Sequence, residues 1–333
     1  MKSLPKKNTD TTETRPLQIL RFHNQSSRTW SFAMSATCAF VPVPSPGRAY
    51  STRRVSARRE NVFSRSRVVA FAAAGVSPEK TDRDVAIVTG GAKGIGAACC
   101  EVLAELGWAV VVNHRVSSAE AAEALVLRIR GNGGHAISVC ADVGCEKEVI
   151  ELFDAARAWG QNVKGLVNNA GILLGANESK TVEDASVDDL EEIMRVNLVG
   201  PVLCCREAVR VMSDKKGNAG GAIVNVSSGS AVIGRPLLYA ASKGALNSFQ
   251  AGAVEELAQH GIRINAVSPG MTNTDLVKDV AATFDFAKIP LGRMAEPHEI
   301  ASAVAFLIGE NSAYTTGANL RVAGGRAPGN FIG

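Results

Sequence analysis

Tyr239-Ala-Ala-Ser-Lys243 places a phenol and an ammonium four residues apart. On a helix, positions with that spacing lie one above the other on a single face, so the two groups sit side by side. Tyrosine titrates near pH ~10 when unperturbed, and a nearby cation favours its charged form. Such a pair is suited to exchanging a proton with a substrate oxygen near neutral pH. Ser228 lies upstream, and a glycine-rich turn runs from Thr89 to Gly96. Together these features point to a nicotinamide-dependent oxidoreductase. The Tyr-x-x-x-Lys spacing alone proves little, because ordinary residue frequencies produce it in roughly one chain of this length in two.

The glycine turn has its own chemistry. Val85-Ala-Ile-Val-Thr-Gly90 reads as a buried strand ending in glycine, and Gly91-Ala-Lys93-Gly94-Ile95-Gly96 leads into a helix from Ala97. Glycines allow a tight turn and close approach to a pyrophosphate, while the helix amino terminus offers free N–H groups and a positive dipole end. Gly90, Lys93, Gly94, Ile95 and Gly96 are therefore candidate cofactor contacts. The second strand ends in His114-Arg115, with no acid to bind a ribose 2′-hydroxyl. Lys93 and Arg115 can converge on a 2′-phosphate, which favours NADP(H) over NAD; solvated surface charges are the plain alternative. His114 reads as a bystander.

These groups need a scaffold that holds them at one end of a sheet. From Val85 onward, short runs rich in β-branched residues alternate with longer amphipathic stretches, the pattern of βαβ units around a parallel sheet buried on both faces. Strands are predicted near 84–89, 109–113, 135–140, 164–168, 221–227, 262–267 and 318–322. Helices are predicted near 95–106, 118–131, 146–159, 187–212, 238–259 and 297–309. The expected fold class is α/β: a doubly wound, Rossmann-type, seven-stranded parallel sheet with helices on both faces, in a single domain. Substrate would be gripped by loops at the carboxyl ends of the strands, chiefly Met271 to Arg293.

Composition divides the chain. Residues 1–75 carry 13 Lys plus Arg against three acids, whereas residues 76–333 hold 23 basic and 29 acidic residues. The formal net charge of +4 thus hides a mildly acidic body, which offers no electrostatic footprint for nucleic acid. The Ser/Thr/Arg-rich, acid-poor tail reads as an organellar transit peptide. A plastid address is favoured from Met34-Ser-Ala-Thr, a mitochondrial one is second, and a basic tail without an address is the alternative. Residues 76–333 would form the catalytic domain. The longest apolar runs fall short of the ~20 residues a membrane span needs. Seven cysteines, with two vicinal pairs and no Cys-x-x-Cys, indicate neither a disulfide framework nor a metal site.

Four further segments sharpen the reading: Asn168-Asn169-Ala170-Gly171, Asn197 in Val-Asn-Leu, Ser228 after Val224-Asn-Val-Ser, and Pro269-Gly270-x-x-x-Thr274. With the glycine turn and Tyr239 to Lys243, they make the body resemble the short-chain dehydrogenase/reductase family, in the family's order from 84 to about 325. The resemblance implies that Asp142, with its neighbour Val143, lies near the adenine and that Asn169, Ala170 and Gly171 line the cofactor cleft. It implies that Pro269, Gly270, Thr272 and Thr274 hold the nicotinamide carboxamide and nearby phosphate. It also implies a catalytic set. Ser228 would donate to the substrate carbonyl and Tyr239 would deliver the proton. Lys243 would lower the tyrosine pKa and bind the ribose, and Asn197 would hold a relay water. A homo-oligomer, tetramer or dimer, is expected.

Two departures from the family stand out. Ser228 and Tyr239 are 11 residues apart where many relatives have 13, and Val322-Ala323-Gly324-Gly325 stands where relatives usually carry Asp-Gly-Gly. The plastid and NADPH readings most resemble a 3-oxoacyl-[acyl-carrier-protein] reductase, with Arg206, Arg210, Lys215 and Lys216 as the candidate patch for an acyl carrier protein. Glucose 1-dehydrogenase-like enzymes and small ketone or quinone reductases share the same motifs. Arg235 either favours an anionic substrate or simply faces solvent. From another class, a non-catalytic NADP-binding sensor remains, although a sensor has no need of the proton-transfer set.

Overall fold

Val85-Ala-Ile-Val88 is entirely inaccessible to solvent, and so is Ala109-Val-Val-Val112. Unbroken burial of consecutive residues requires a sheet covered on both faces. The computed structural model describes residues 70–71, 79–174, 181–281 and 284–326. All of these fall in the unit Asn61–Gly333. The predicted transit peptide, residues 1–75, lies outside the described residues apart from 70–71.

The strands are β1 (Ala70–Phe71), β2 (Thr81–Val88), β3 (Ala109–His114), β4 (His135–Cys140), β5 (Gly160–Asn168), β6 (Gly221–Val226), β7 (Ile262–Pro269) and β8 (Asn319–Val322). The helices are α1 (Gly94–Glu105), α2 (Ala119–Gly131), α3 (Glu146–Trp159), α4 (Val187–Met194), α5 (Gly200–Met212), α6 (Ser230–Ile233), α7 (Leu237–Ala258), α8 (Lys278–Ala281) and α9 (Pro297–Ile308). The sheet order is β1-β4-β3-β2-β5-β6-β7-β8, with seven parallel strands and the two-residue β1 antiparallel at the edge. The predicted doubly wound sheet is therefore the fold.

Side-chain alternation sorts the core into two layers. Ala86, Val88, Val110 and Val112 point into one, beneath α1, α2 and α9. Val85, Ile87, Ala109 and Val111 point into the other, beneath α3, α5 and α7. The strand order reverses between β2 and β5, so the chain leaves β2 toward one edge and resumes from β5 toward the other. A crevice opens at such a switch point, beyond the carboxyl ends of the strands.

Two local differences have physical causes. β2 and β5 begin earlier than predicted, because Thr81 pairs with Gly160 and Asp84 with Asn162 across register shifts. Those polar residues carry no apolar signal. The predicted helix over 187–212 is interrupted by a π-helical turn, Arg195–Val199, before α5 starts at Gly200-Pro201. Proline removes a backbone donor, and the extra residue is absorbed as a wider turn. Among the described residues, no helix is long and apolar enough to cross a membrane, and six cysteines are free thiols.

Candidate active site

The turn between β2 and α1 forms the floor of the crevice. Gly90 and Gly94 adopt φ of 60° and 54°, conformations that a side chain would strain. A Cβ on Gly96 would lie 2.3 Å from the Gly90 carbonyl oxygen and 2.5 Å from Asn169 Nδ2. Asn169 Nδ2 donates to the carbonyls of Thr89 and Gly90 at 2.9 and 3.0 Å. Thr89 Oγ1 accepts from the N–H groups of Asn169 and Ala170 at 3.0 and 3.1 Å. The Asn169-Ala170-Gly171 segment is thus latched to the glycine turn. No side chain caps α1, and its first turn leaves N–H groups free for an anion.

Two clefts open from this floor and share Gly171. The first, of about 150 Å³, is lined by Gly90, Lys93, Asn113, His114, Arg115, Ser117, Ser118, Asp142, Val143, Ala170 and Val196. Asn113 Oδ1 accepts from Gly90 N at 3.2 Å, and its Nδ2 donates to Ala141 O at 2.9 Å, tying β3 and β4 to the glycine turn. Lys93 and Arg115 are exposed there. His114 Nδ1 donates to the Arg115 carbonyl at 3.0 Å, a structural role consistent with a bystander. Asp142 is already engaged. Its Oδ2 accepts from Arg195 Nη1 at 2.9 Å, and its Oδ1 accepts from Gly144 N at 2.9 Å. Arg195, from the π turn, also donates to Glu192. Burial works against its cation, but the two carboxylates outweigh that and hold its pKa up.

The second cleft, of about 190 Å³, brings together Ile95, Asn169, Ser228, Tyr239, Lys243, Pro269, Gly270, Thr272 and Thr274. Ser228 follows the carboxyl end of β6, while Tyr239 and Lys243 lie in the first two turns of α7. The Lys243 Nζ stands 5.8 Å from the centre of the Tyr239 ring and donates to the Val226 carbonyl at 2.8 Å. Thr274 leans over the glycine turn, its Cγ2 only 3.1 Å from where a Cβ on Gly94 would be.

Asn197, in the π turn, is wholly buried. Its Oδ1 accepts from Ile172 N at 2.8 Å, and its Nδ2 donates to Ile172 O and to Ser242 Oγ, both at 3.0 Å. Ser242 Oγ in turn donates to the Tyr239 carbonyl at 2.8 Å. The side chain that sequence reasoning assigns to a relay water is therefore occupied in bracing α7 against the segment after Gly171. A Cβ on Gly171 would come within 3.3 Å of Asn197 Oδ1 and 3.4 Å of Lys243 Nζ.

The electrostatics differ from the simplest expectation of a phenol made acidic by its neighbour. Burial pushes the half-buried Tyr239 hydroxyl up, and Ser228 pulls it back only in part. The depressed group is Lys243, which burial lowers to about 8. At neutral pH this gives a protonated phenol beside an ammonium, the charge state of a proton donor.

The site residues read from sequence line one cleft or the other, except Gly94 and Gly96, which lie in the turn into α1 beneath them, and Asn197, which is buried behind the second. Thr89, Asn113, Arg195, Ser242, Arg321 and Arg326 were not singled out. Ser242 sits inside the Tyr-x-x-x-Lys run, and Gly200-Pro201 was the only hint of the π turn that carries Arg195. Arg235, the sequence candidate for an anion contact, is exposed and absent from the cleft; Arg321 and Arg326 line it instead.

The cradle fits a dinucleotide. Its glycines leave no room for side chains, its helix terminus is uncapped, and two basic side chains flank the first cleft. A family model described as "Enoyl-(Acyl carrier protein) reductase" matches residues 90–327. The chain is 36% identical to a 3-oxoacyl-[acyl-carrier-protein] reductase of Synechocystis, over 72% of this chain and 96% of the relative. It is 39% identical to the cis-4-hydroxycyclohexanecarboxylate dehydrogenase of Sinomonas cyclohexanicum, over 72% of this chain and 95% of the relative. It is 35% identical to glucose 1-dehydrogenase 2 of Bacillus subtilis, over 72% of this chain and 92% of the relative.

Proposed function

The chain belongs to the short-chain dehydrogenase/reductase family, an oxidoreductase acting on carbonyl or CH–OH groups, and from that premise we propose that it is an NADP(H)-dependent reductase converting a carbonyl to a secondary alcohol. The observation that carries the reading is the second cleft, where Ser228, Tyr239 and Lys243 converge next to the glycine turn. When bound, the dihydronicotinamide supplies hydride to the carbonyl carbon. Ser228 donates a hydrogen bond to the carbonyl oxygen as negative charge develops there. Tyr239 passes its hydroxyl proton to that oxygen, and the Lys243 ammonium stabilises the phenolate left behind. Asn197 and Ser242 hold the tyrosine and lysine in register with the cofactor floor. The reverse oxidation uses the same groups with the proton running back.

NADP(H) is favoured because Lys93 and Arg115 face the first cleft, while the one acid there, Asp142, is committed to Arg195 and Gly144. Pro269, Gly270, Thr272 and Thr274, which line the second cleft, would hold the carboxamide end. For the substrate, a 3-oxoacyl thioester is the first expectation, in line with the Synechocystis relative. The patch proposed for an acyl carrier protein lends this less support than its charges imply. Arg206 pairs with Glu146 and Glu207, and Arg210 with Glu207, leaving Lys215 and Lys216 exposed. A second reading, a small ketone bearing a carboxylate, is in line with the hydroxycyclohexanecarboxylate relative and with the charge of the second cleft.

An organellar address, plastid before mitochondrion, remains part of the proposal and is checked by import of a reporter fused to residues 1–80. A homo-oligomer is proposed through α4 and α7, consistent with the exposed Val187 and Leu190 on α4, and is checked by light scattering. The central test is NADPH oxidation with acetoacetyl thioesters, aldoses and simple ketones. Oxidation with at least one is expected. Oxidation with none defeats the enzymatic reading in favour of a non-catalytic NADP-binding sensor.

A further inference from the structure

Two arginines line the second cleft that the proton-transfer chemistry does not use. Arg321 lies in β8, and Arg326 follows the turn after it. Arg321 Nη2 donates to the Arg326 carbonyl at 2.6 Å, bracing the two positions together. The Arg326 guanidinium lies over the Phe284 ring, 5.0 Å from its centre. Phe284 is itself held edge-on by Phe286, with ring centres 5.5 Å apart. A guanidinium seated on an aromatic face is already oriented and loses little freedom on taking a ligand.

The charge of the cleft is one-sided. Among the described residues, Lys243, Arg321 and Arg326 line it, and no Asp or Glu does. Several arginines elsewhere in the fold are answered by carboxylates, as Arg128 is by Glu101, Arg206 by Glu146 and Arg293 by Glu299, and others spend their donors on backbone carbonyls, as Arg130 and Arg263 do. Among the described residues, no carboxylate pairs with Arg321 or Arg326, although both carry planar arrays of N–H donors. Ala323, which also lines the cleft between them in sequence, adds no charge. Guanidinium donors without a carboxylate partner, lining the pocket that holds Tyr239 and Lys243, can read an anion on the substrate.

We propose that Arg321 and Arg326 hold a carboxylate of the substrate, so that the site selects small ketones, or the matching alcohols, that bear a carboxylate away from the reacting carbon. The planar fork of a guanidinium matches a carboxylate in two parallel hydrogen bonds. This inference rests on the carbonyl-reductase reading above and selects the carboxylate-bearing ketone over the acyl thioester as its substrate class.

The test uses the full-length chain and NADPH, with 4-oxocyclohexanecarboxylate and 4-oxopentanoate each set against its methyl ester. The acids are expected to exceed their esters in kcat/KM by roughly tenfold or more, the scale of a hydrogen-bonded charge pair. Arg321→Gln and Arg326→Gln are each expected to erase that ratio by raising KM for the acids, while leaving ester turnover and the NADPH KM in place. Cyclohexanecarboxylate is expected to inhibit the wild-type chain competitively with the ketone. This inhibition and the wild-type ratio decide the matter should a variant fail to fold. Equal turnover of acid and ester overturns the proposal. So does a loss in the variants that falls equally on both, or on NADPH instead. Silence toward acid, ester and every neutral ketone defeats the reductase reading itself and this inference with it.

Discussion

The two clefts that meet at Gly171 are built on opposite principles. In the first, the walls are largely backbone and strand ends, and the charged side chains that matter are either exposed, as Lys93 and Arg115 are, or already paired, as Asp142 is. In the second, the reacting groups depend on buried side-chain bonds reaching across the fold: Asn197 to Ile172 and Ser242, Ser242 to Tyr239, and Lys243 to Val226. Solvated charges tolerate substitution with graded losses, although the glycine turn and the Asn113 bonds beneath them do not. Nor does a buried network of single bonds. The chemical step should therefore be brittle, and cofactor binding resilient to change at its exposed charges.

The strongest test of that contrast is Tyr239→Phe. The ring and its packing remain, but the proton donor is removed, so kcat should fall by about 10³, with NADPH affinity by fluorescence close to that of the parent. A variant that retains turnover removes the proposed mechanism. A variant that loses NADPH binding in equal measure shows that the clefts are not separable.

Arg115→Ala probes the other side. Loss of one charge-assisted contact to a 2′-phosphate is worth about 1.5–3 kcal/mol, so the preference for NADPH over NADH should drop by roughly ten- to a hundredfold, with kcat little changed. An unchanged preference eliminates the NADP(H) reading at this residue.

The buried Lys243 adds a pH dependence. Its pKa is lowered to about 8, and the reductive reaction needs the ammonium to stabilise the phenolate. In the free enzyme, kcat/KM for reduction should therefore fall above pH 8, by about tenfold per unit. Stability should move the other way. The unfolded lysine titrates near pH ~10.4, so between 8 and that value the unfolded chain binds the extra proton and the folded state gains stability as pH rises. Lys243→Met should flatten both trends, as read from initial rates and from urea midpoints across that window.

The scaffold was largely legible because its residues obey local rules. The β-branched runs over Val85–Val88 and Ala109–Val112 have no role except to be buried between helices. The proposed catalytic pair was legible because Tyr239 and Lys243 lie about one turn apart in α7. What escaped is non-local. The charges of Arg206 and Glu146 are 60 residues apart in sequence and meet only in the fold, so the basic patch seemed stronger than it is. Arg321 and Arg326 have the composition of an ordinary surface, and only the fold brings them into the same cleft as Tyr239. Asn197 lies buried behind the second cleft. Its bonding partners, however, depend on a π turn that periodicity alone does not distinguish from a helix.

Arg195 offers the finest test of the division, because it belongs to both sides. It opens the π turn that carries Asn197 two residues later, yet its guanidinium holds Asp142 in the first cleft and packs over Gly144, where a Cβ would stand only 2.1 Å from Nη1. Arg195→Gln keeps a donor but removes the cation beside the Asp142 carboxylate, a partly exposed contact worth about 1 kcal/mol or less. If Arg195 serves only the first cleft, the NADPH KM should rise a few-fold, with kcat unaltered. The buried bonds of Asn197 should hold the π turn without it. A fall in kcat that outweighs the change in KM would instead mean that the turn is strained into place by its outer ion pair. The second cleft would then depend on the first for its geometry.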